Sequence, residues 1–271
     1  MTEDEQLAEQ YFKYIDDHAN VNPNDDIKYP PVALSCGSFE LQTNRGRETY
    51  PIPIGTFGNI SFIQAPPKTM KTYFLSLLAS VFLNNETKGK GSIRGHREKK
   101  EVLHVDTEQG RFHAQRVFKR VAIMSNDKEN YHTFALRQYS AKDRLAWIGW
   151  KLKSEPDLGL VLIDGVADLV NDVNNIEECN LVVQKLMEWS EIHNIHILTI
   201  IHSNYGSEKP TGWLGSALEK KAETQMILEA SGDGTIVRCR RSRGYPFKPF
   251  TFSVENDTPY IVGDYANNLE F

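Results

Sequence analysis

Apolar runs alternate with helical patterns along most of the chain, starting near residue 50. The runs NISFIQA, EVLHVD, LGLVLID and IHILTIIH are apolar almost throughout, and segments with helical spacing such as KTYFLSLLASVFLNN and IEECNLVVQKLMEWSEIH lie between them. Strands that lack polar alternation are buried on both faces. The pattern therefore predicts an α/β fold with a mainly parallel sheet and helices on both of its faces.

Both ends of the chain depart from this alternation. After about residue 222 the runs ETQMILEA, TIVRCRRS, PFTFSVE and PYIVG follow one another with short turns, which predicts an antiparallel C-terminal edge. Near the start, Leu7, Tyr11 and Tyr14 have the spacing of one helix face, and the segment NVNPNDD then ends the helix. We therefore expect a partly helical N-terminal arm over residues 1–49 and one domain over residues 50–271.

Composition narrows the class of protein. The 271 residues are 40% hydrophobic and 25% charged, which suits one large core. Three widely spaced cysteines form neither a disulfide framework nor a zinc cage, and a reducing compartment fits them. The acidic N-terminus and the absence of a long apolar run predict a cytoplasmic protein without a membrane segment. The formal net charge of −5 means that nucleic acid would need a local basic surface.

The stretch QAPPKTMKT lies where a phosphate-binding loop would lie, between the run NISFI and the long helical pattern KTYFLSLLASVFL. Such a loop reads G-x-x-x-x-G-K-[ST], and Lys71 and Thr72 match its lysine and hydroxyl. Ala65 and Met70 stand in place of its two glycines. The residues assigned to the loop are Ala65, Pro66, Pro67, Lys68, Thr69, Met70, Lys71 and Thr72.

Two interpretations of this loop stay open. The two prolines have no amide hydrogen, but Lys68 to Thr72 keep theirs next to the helix start, where phosphate binds. Lys68 adds a second cation. The alternative is a proline-rich turn whose lysines are simply solvated.

Polar side chains end three other apolar runs. Asp164 ends LGLVLID, Asp106 and Glu108 follow EVLHV, and His202 ends IHILTIIH. The carboxyl ends of parallel strands form one edge of a sheet, and ligands bind there in α/β folds. Each residue alone has an ordinary structural explanation, for example a helix cap formed by Asp106 or Thr107. Together they predict a nucleotide crevice.

The order of these elements resembles that of the RecA-like ATPases over about residues 50–255. It is most similar to the branch of RepA- and DnaB-type helicases, including small ATPases of bacterial mobile elements and phages. The pieces that carry the resemblance are VDTEQGRFHAQRV, LGLVLIDGVADLV and GWLGSALEKKAET. The loop departs from the general glycine pattern. The resemblance implies a RecA-like P-loop fold, and it implies ATP and Mg²⁺ as ligands.

The resemblance also implies roles for individual residues. Lys71 matches the lysine that contacts the phosphates, and Thr72 and Asp164 match the residues that hold Mg²⁺ through the nucleotide. Glu108 matches the glutamate that activates water. His202 stands where relatives carry a residue that couples the γ-phosphate to a DNA-binding loop.

The stretch RCRRSRG resembles the segment from which related helicases project a cation into the neighbouring subunit's site. Arg241 and Arg243 are therefore candidates for an arginine finger acting in trans. This role implies a homo-oligomer, and the resemblance implies a hexameric ring. The alternative is an ordinary polar strand at the sheet edge.

Two segments are candidates for contact with single-stranded DNA. Residues 88–100 are rich in lysine and arginine, but their position favours a solvated surface loop, because RecA-like proteins usually bind DNA through loops that follow the later strands. Residues 203–216 follow the strand of His202 and include Tyr205, Lys209 and Trp213, where aromatic rings suit base stacking. A lid or a subunit contact is the alternative there.

Two classes of function remain open. One is an ATP-hydrolysing motor or replication factor that acts on single-stranded DNA. The other is a nucleotide-dependent assembly or regulatory protein with a degenerate loop and little hydrolysis.

Overall fold

The structure is a computed structural model, and it describes residues 3–43, 46–84, 92–98, 100–204, 209–232, 234–262 and 268–269. The chain divides into two compact units, Met1–Pro30 and Pro31–Phe271. The first unit contains helix α1 (Glu3–Ala19), close to the helix predicted from the spacing of its apolar residues. None of the helices in the described part of the chain is both long enough and apolar enough to cross a membrane.

The second unit is built on a nine-stranded sheet. Its strands are β3 (Ile60–Ala65), β5 (Glu101–Asp106), β6 (Tyr131–Ala135), β7 (Leu158–Asp164), β8 (His196–His202), β9 (Thr224–Ser231), β10 (Gly234–Ser242), β11 (Phe250–Glu255) and β12 (Thr258–Val262). The strand order is β12-β11-β10-β9-β3-β8-β7-β5-β6. Neighbouring strands are parallel from β9 through β3, β8, β7 and β5 to β6. The strands β9, β10, β11 and β12 pair antiparallel. The predicted fold class, including its antiparallel edge, is confirmed.

Five helices cover the sheet. They are α2 (Lys71–Asn84), α3 (Arg111–Ser125), α4 (Ala141–Ser154), α5 (Ile176–Ile192) and α6 (Gly212–Lys221). One core cluster contains α2, including Phe74 and Phe82, together with Val121 of α3. The other contains Ile148 of α4, Leu186 of α5 and residues of α6. Both faces of the central strands are therefore buried, which explains why these strands are apolar throughout.

A smaller sheet packs onto the α2 face. It consists of β1 (Val32–Thr43), β2 (Gly46–Thr56), β4 (Ile93–Gly95) and β13 (Asn268–Leu269), with β1 paired to all three others. Ala33, Leu34 and Cys36 are fully buried in the α2 core cluster. The compact unit thus begins at Pro31, and the boundary drawn from the sequence at residues 49 and 50 lies inside it. The burial of β1 depends on strands remote in sequence, so local patterning did not reveal it.

Candidate functional site

The topology brings four strand ends to one edge of the sheet. Strands β3, β8, β7 and β5 are parallel neighbours, with Ala65 opposite His202 and Asp106 opposite Asp164. Each of these residues is the last of its strand. The residues predicted to share a crevice therefore lie side by side at the carboxyl edge.

The loop between β3 and α2 has the shape of a phosphate loop. Met70 has φ +58° and Lys68 has φ +65°, so both adopt the left-handed conformation in which glycine is the usual residue. Met70 occupies the second glycine position of the pattern, and its carbonyl accepts hydrogen bonds from the amides of Tyr73 and Phe74. Ala65 has no left-handed conformation, because it is the buried last residue of a strand. The backbone thus needs glycine-like geometry at position 70 and not at position 65.

Side chains within the loop also close it. The Thr69 hydroxyl donates to the Pro66 carbonyl oxygen at 2.7 Å, and the Lys71 ammonium donates to the same oxygen at 3.1 Å. Burial lowers the pKa of Lys71, although the charges of Glu108 and Asp164 oppose this shift. A phosphate would give this ammonium a partner of opposite charge.

Thr72 and Asp164 contact one another at the floor of the crevice. The Thr72 hydroxyl donates to Oδ2 of Asp164 at 3.0 Å. Asp164 is 3% exposed, and its pKa is raised to about 7 by burial, with smaller effects from the charges of Asp106 and Glu108. Hydroxyl and carboxylate oxygens are ligands that Mg²⁺ prefers, and a cation here would relieve the repulsion between the carboxylates. These residues therefore fit a Mg²⁺–nucleotide complex.

Glu108 and His202 meet across the crevice. Nε2 of His202 lies 3.4 Å from Oε1 of Glu108. The hydrogen bond from His202 lowers the pKa of Glu108, whereas burial acts in the opposite direction. Glu108 is therefore ionised at neutral pH and able to accept a hydrogen bond from water.

Asp106 has a structural role in this arrangement. Its Oδ1 accepts hydrogen bonds from the amides of Glu108 at 3.0 Å and Gln109 at 2.8 Å. It fixes the turn that leads from β5 towards α3. The helix cap suggested for Asp106 or Thr107 is wrong, because α3 begins at Arg111 and its N-cap is Gly110, without a side-chain cap. The adjacent Thr107 hydroxyl donates to the carbonyl of Gly165 at 2.9 Å and to Oδ2 of Asp168 at 2.9 Å. Sequence reasoning missed Gly165 and Asp168, whose contacts cross from one strand end to another.

A cavity of about 460 Å³ extends from the loop along α3, and its size is in the range of ligand sites. Its wall includes loop residues, Glu108, and a stripe of α3 formed by His113, Arg116 and Arg120. Sequence reasoning missed this stripe, although its members are three and four residues apart, which is the spacing of one helix face and was a readable signal. A larger cavity, about 760 Å³, is lined by α3, α4 and β6 and includes no residue of the loop.

Of the two arginine-finger candidates, Arg243 lies at the other end of the sheet and Arg241 lies level with the middle of β3. Arg241 pairs with Gln225 of β9. The residue before Gln225, Thr224, faces Ser61 of β3. The Arg243 guanidinium donates to the Lys221 carbonyl at 2.8 Å. The loop follows the opposite end of β3, about 10 Å along the strand from the level of Arg241 and about 20 Å from that of Arg243. The structure does not bring these arginines to the crevice of their own chain.

The basic segment is also remote from the crevice in its described part. Residues 85–91 and Lys99 lie outside the described residues. Arg97 forms an ion pair with Asp127 at 2.7 Å, and its side chain is only 12% exposed. Lys100 directly precedes β5, at the amino edge of the sheet, and donates to the Asn194 carbonyl. These two cations bind the protein's own acceptors.

The second DNA candidate starts at the crevice. Residues 205–208, including Tyr205, lie outside the described residues. On either side of them, Ser203 forms a β-bridge with Pro210, and the Thr211 hydroxyl donates to the His202 carbonyl at 2.7 Å. The segment is therefore anchored on the residue that contacts Glu108.

Comparisons with known proteins agree with this geometry. A model of the AAA domain family AAA_25 matches residues 52–208, which is more than half of the chain. The crystal structure of the RadB recombinase superposes with a TM-score of 0.55 at 19% identity, covering 77% of this chain and 94% of that one. No curated protein matches the sequence. The chain belongs to the AAA domain family AAA_25, and its fold is that of a RecA-like P-loop ATPase.

Proposed function

We propose that the protein binds ATP with Mg²⁺ at this crevice and hydrolyses it. The observation that carries the proposal is the juxtaposition of two pairs at one sheet edge. Thr72 is hydrogen-bonded to Asp164, and Glu108 faces His202. The first pair suits a cation and the second suits an attacking water.

Binding rests on the loop and the start of α2. The amides that follow the two prolines lie at the start of α2, where the positive end of the helix dipole favours a phosphate. Lys71 leaves the Pro66 carbonyl and pairs with the phosphates, while Thr72 and Asp164 hold Mg²⁺. Mg²⁺ supplies the charge that neutralises the phosphate oxygens. The nucleoside lies along the α3 stripe, where His113 and Arg116 line the cavity.

Hydrolysis rests on Glu108. Its carboxylate is ionised and its side chain is 37% exposed at the crevice. It can therefore orient a water and accept its proton as the water oxygen bonds to the γ-phosphorus and ADP leaves. His202 contacts this carboxylate and is the candidate for a group that responds to the γ-phosphate.

Two substitutions separate binding from hydrolysis. Lys71→Ala removes the cation that the phosphates need, and we expect ATP affinity to fall at least about tenfold. Glu108→Gln keeps the shape of the side chain and removes its charge. We therefore expect the ATP affinity to stay within about threefold of the parent value and ATP turnover to be slower by a factor of about 10² to 10⁴. ATP binding is measured by titration calorimetry and turnover by phosphate release.

The exposed residues Lys142 and Glu129 provide matched controls, as Lys142→Ala and Glu129→Gln. Unchanged affinity in a folded Lys71→Ala protein would remove the loop from the site. Unchanged turnover in Glu108→Gln would remove Glu108 from the reaction.

We further propose that the protein acts on single-stranded DNA, as a helicase-type motor or as a replication or mobilisation factor. This proposal is supported by residues 203–216, which start at His202 and thus connect a candidate DNA segment to Glu108. It is also supported by the resemblance to helicases and mobile-element ATPases. Phosphate release measured with and without single-stranded DNA tests it, and we expect DNA to accelerate turnover. A rate that single-stranded DNA leaves unchanged in a nucleotide-binding protein contradicts the motor.

A second candidate function is a nucleotide-dependent assembly or regulatory protein with little hydrolysis. The loop favours it, because Lys68 and Met70 hold left-handed conformations without glycine. Tight ATP binding with negligible phosphate release, both with and without DNA, would support this candidate.

We also propose that the catalytic unit is shared between subunits of a homo-oligomer, as in a hexameric ring. Arg243 lies at the opposite end of β3 from its own loop, and Arg241 lies level with the middle of β3, so we assign their catalytic role to the site of a neighbouring chain. In such a ring, the face of one subunit that carries these arginines would have to lie against the crevice of the next subunit.

A further inference from the structure

We infer that Gly165 is a positioning residue for Glu108, and that the absence of a side chain at position 165 holds the glutamate carboxylate in its working place. The inference rests on the proposed role of Glu108 in hydrolysis. Gly165 directly follows Asp164 and precedes the 3₁₀ helix Val166–Leu169.

The end of the Glu108 side chain packs directly on Gly165. A Cβ at position 165 would lie 2.5 Å from Oε1 of Glu108, 3.2 Å from its Cδ and 3.3 Å from its Cγ. These are the three nearest heavy atoms, so the space that a side chain would occupy is filled by the glutamate. Oε1 is also the oxygen that faces Nε2 of His202. Any displacement of Oε1 by a Cβ therefore changes the contact between Glu108 and His202.

The backbone under the carboxylate is fixed by Thr107. The Gly165 amide donates to the Thr107 hydroxyl oxygen at 3.1 Å, and this hydroxyl lies 2.9 Å from the Gly165 carbonyl oxygen. The Thr107 amide in turn donates to the Asp164 carbonyl at 2.8 Å. Residue 165 is thus tied to the residue directly before Glu108. A larger side chain at 165 moves the Glu108 carboxylate and leaves the backbone in place.

The backbone conformation of Gly165 does not itself require glycine. Its φ of −147° and ψ of 126° are extended values that any residue adopts. An alanine there meets no backbone atom among its nearest contacts, and the atoms that it meets belong to the outer part of a flexible side chain. We therefore expect Gly165→Ala to fold like the parent protein with the carboxylate moved by about 1 Å, a misplacement that can cost about 10²-fold in rate.

The experiment measures steady-state ATP hydrolysis and thermal unfolding of Gly165→Ala. We expect kcat to fall about 10- to 100-fold, the KM for ATP to change less than about threefold, and the unfolding midpoint to stay within about 2 °C. Gly110→Ala is the matched control. Gly110 lies near the same edge, has φ −68°, and would place its Cβ 3.7 Å from the nearest atom, so kcat stays at the parent value.

A double-mutant cycle shows whether the effect passes through Glu108. Glu108→Asp shortens the side chain by one methylene and withdraws it from position 165. Adding Gly165→Ala to this variant is expected to change its residual kcat less than about threefold. An equal loss in both backgrounds, or parent kcat in the single Gly165→Ala variant, overturns the positioning role. If Glu108→Gln hydrolyses ATP at the parent rate, it is the proposed function that fails, independently of position 165.

Discussion

Replacing Asp164 with asparagine is expected to stabilise the nucleotide-free protein while removing its response to Mg²⁺ and ATP. The carboxyl group is buried beside Asp106 and Glu108, and this environment raises its pKa to about 7 from 3.8. The pKa of the folded state lies above that of the unfolded state. As the pH rises, the unfolded chain loses this proton first, so the carboxyl group lowers stability from about pH 4 upward.

The magnitude follows from the shift in pKa. A shift of about three units corresponds to about 4 kcal/mol at pH 7. At pH 5 the cost is roughly 2 kcal/mol, because the folded carboxyl still holds its proton and the pH is only about one unit above the unfolded pKa. An asparagine oxygen still accepts the hydrogen bond from Thr72. We therefore expect Asp164→Asn to raise the free energy of unfolding by about 2–4 kcal/mol at pH 7, or about 5–10 °C in the unfolding midpoint.

The assay is thermal unfolding of the parent and Asp164→Asn proteins at pH 7 and pH 5, with a chelator present. Asp157→Asn, at an exposed position remote from the crevice, is the control and should stay within about 0.5 kcal/mol of the parent. Mg²⁺ and ATP should then raise the midpoint of the parent and not that of Asp164→Asn. A stabilisation that is absent, or that grows as the pH falls to 5, would refute the reasoning.

Two further predictions concern the loop and the assembly. Met70→Gly relieves the strain of a left-handed φ but raises the conformational entropy of the unfolded chain, so stability and ATP affinity should change little. Met70→Val puts a β-branched side chain at this φ and should lower the free energy of unfolding by about 1–2 kcal/mol in denaturant titrations. Equal stability of the two variants would contradict a required left-handed φ. Arg243→Ala and Lys71→Ala proteins should each be nearly inactive, and a mixture of them should regain phosphate release, because some interfaces pair an intact loop with an intact arginine. No recovery in co-assembled mixtures would exclude a shared site.

The parts of the fold that local pattern determines were predictable from the sequence. Apolar strands without alternation required a sheet buried on both faces, and this alone placed Asp164 and His202 at a common edge. The change to successive strands after residue 222 likewise predicted the antiparallel edge. In each case the signal lay in the segment itself, so no knowledge of the neighbouring strands was needed.

The contacts that sequence reasoning missed join residues far apart in the chain. Arg120 is buried against Asp257, with its guanidinium 2.9 Å from Oδ1 and stacked on the Tyr73 ring at 3.9 Å. Gly165 and Thr107 are 58 residues apart, yet their hydrogen bonds shape the floor under Glu108. Such contacts depend on strand order and register, which periodicity does not determine. They also explain why the burial of β1 was missed.

The loop departs from the glycine pattern in two ways that offset each other. A methionine at φ +58° costs about 1–2 kcal/mol relative to a glycine in the same conformation. Pro66 and Pro67 act in the opposite direction, because each fixes φ in the unfolded chain and lowers the entropy cost of forming the loop by about 0.4–1 kcal/mol. The Pro66 carbonyl also accepts hydrogen bonds from Thr69 and Lys71, which closes the loop from inside. Because these contacts already close the loop, we expect the proposed phosphate binding to need little further ordering beyond the movement of Lys71.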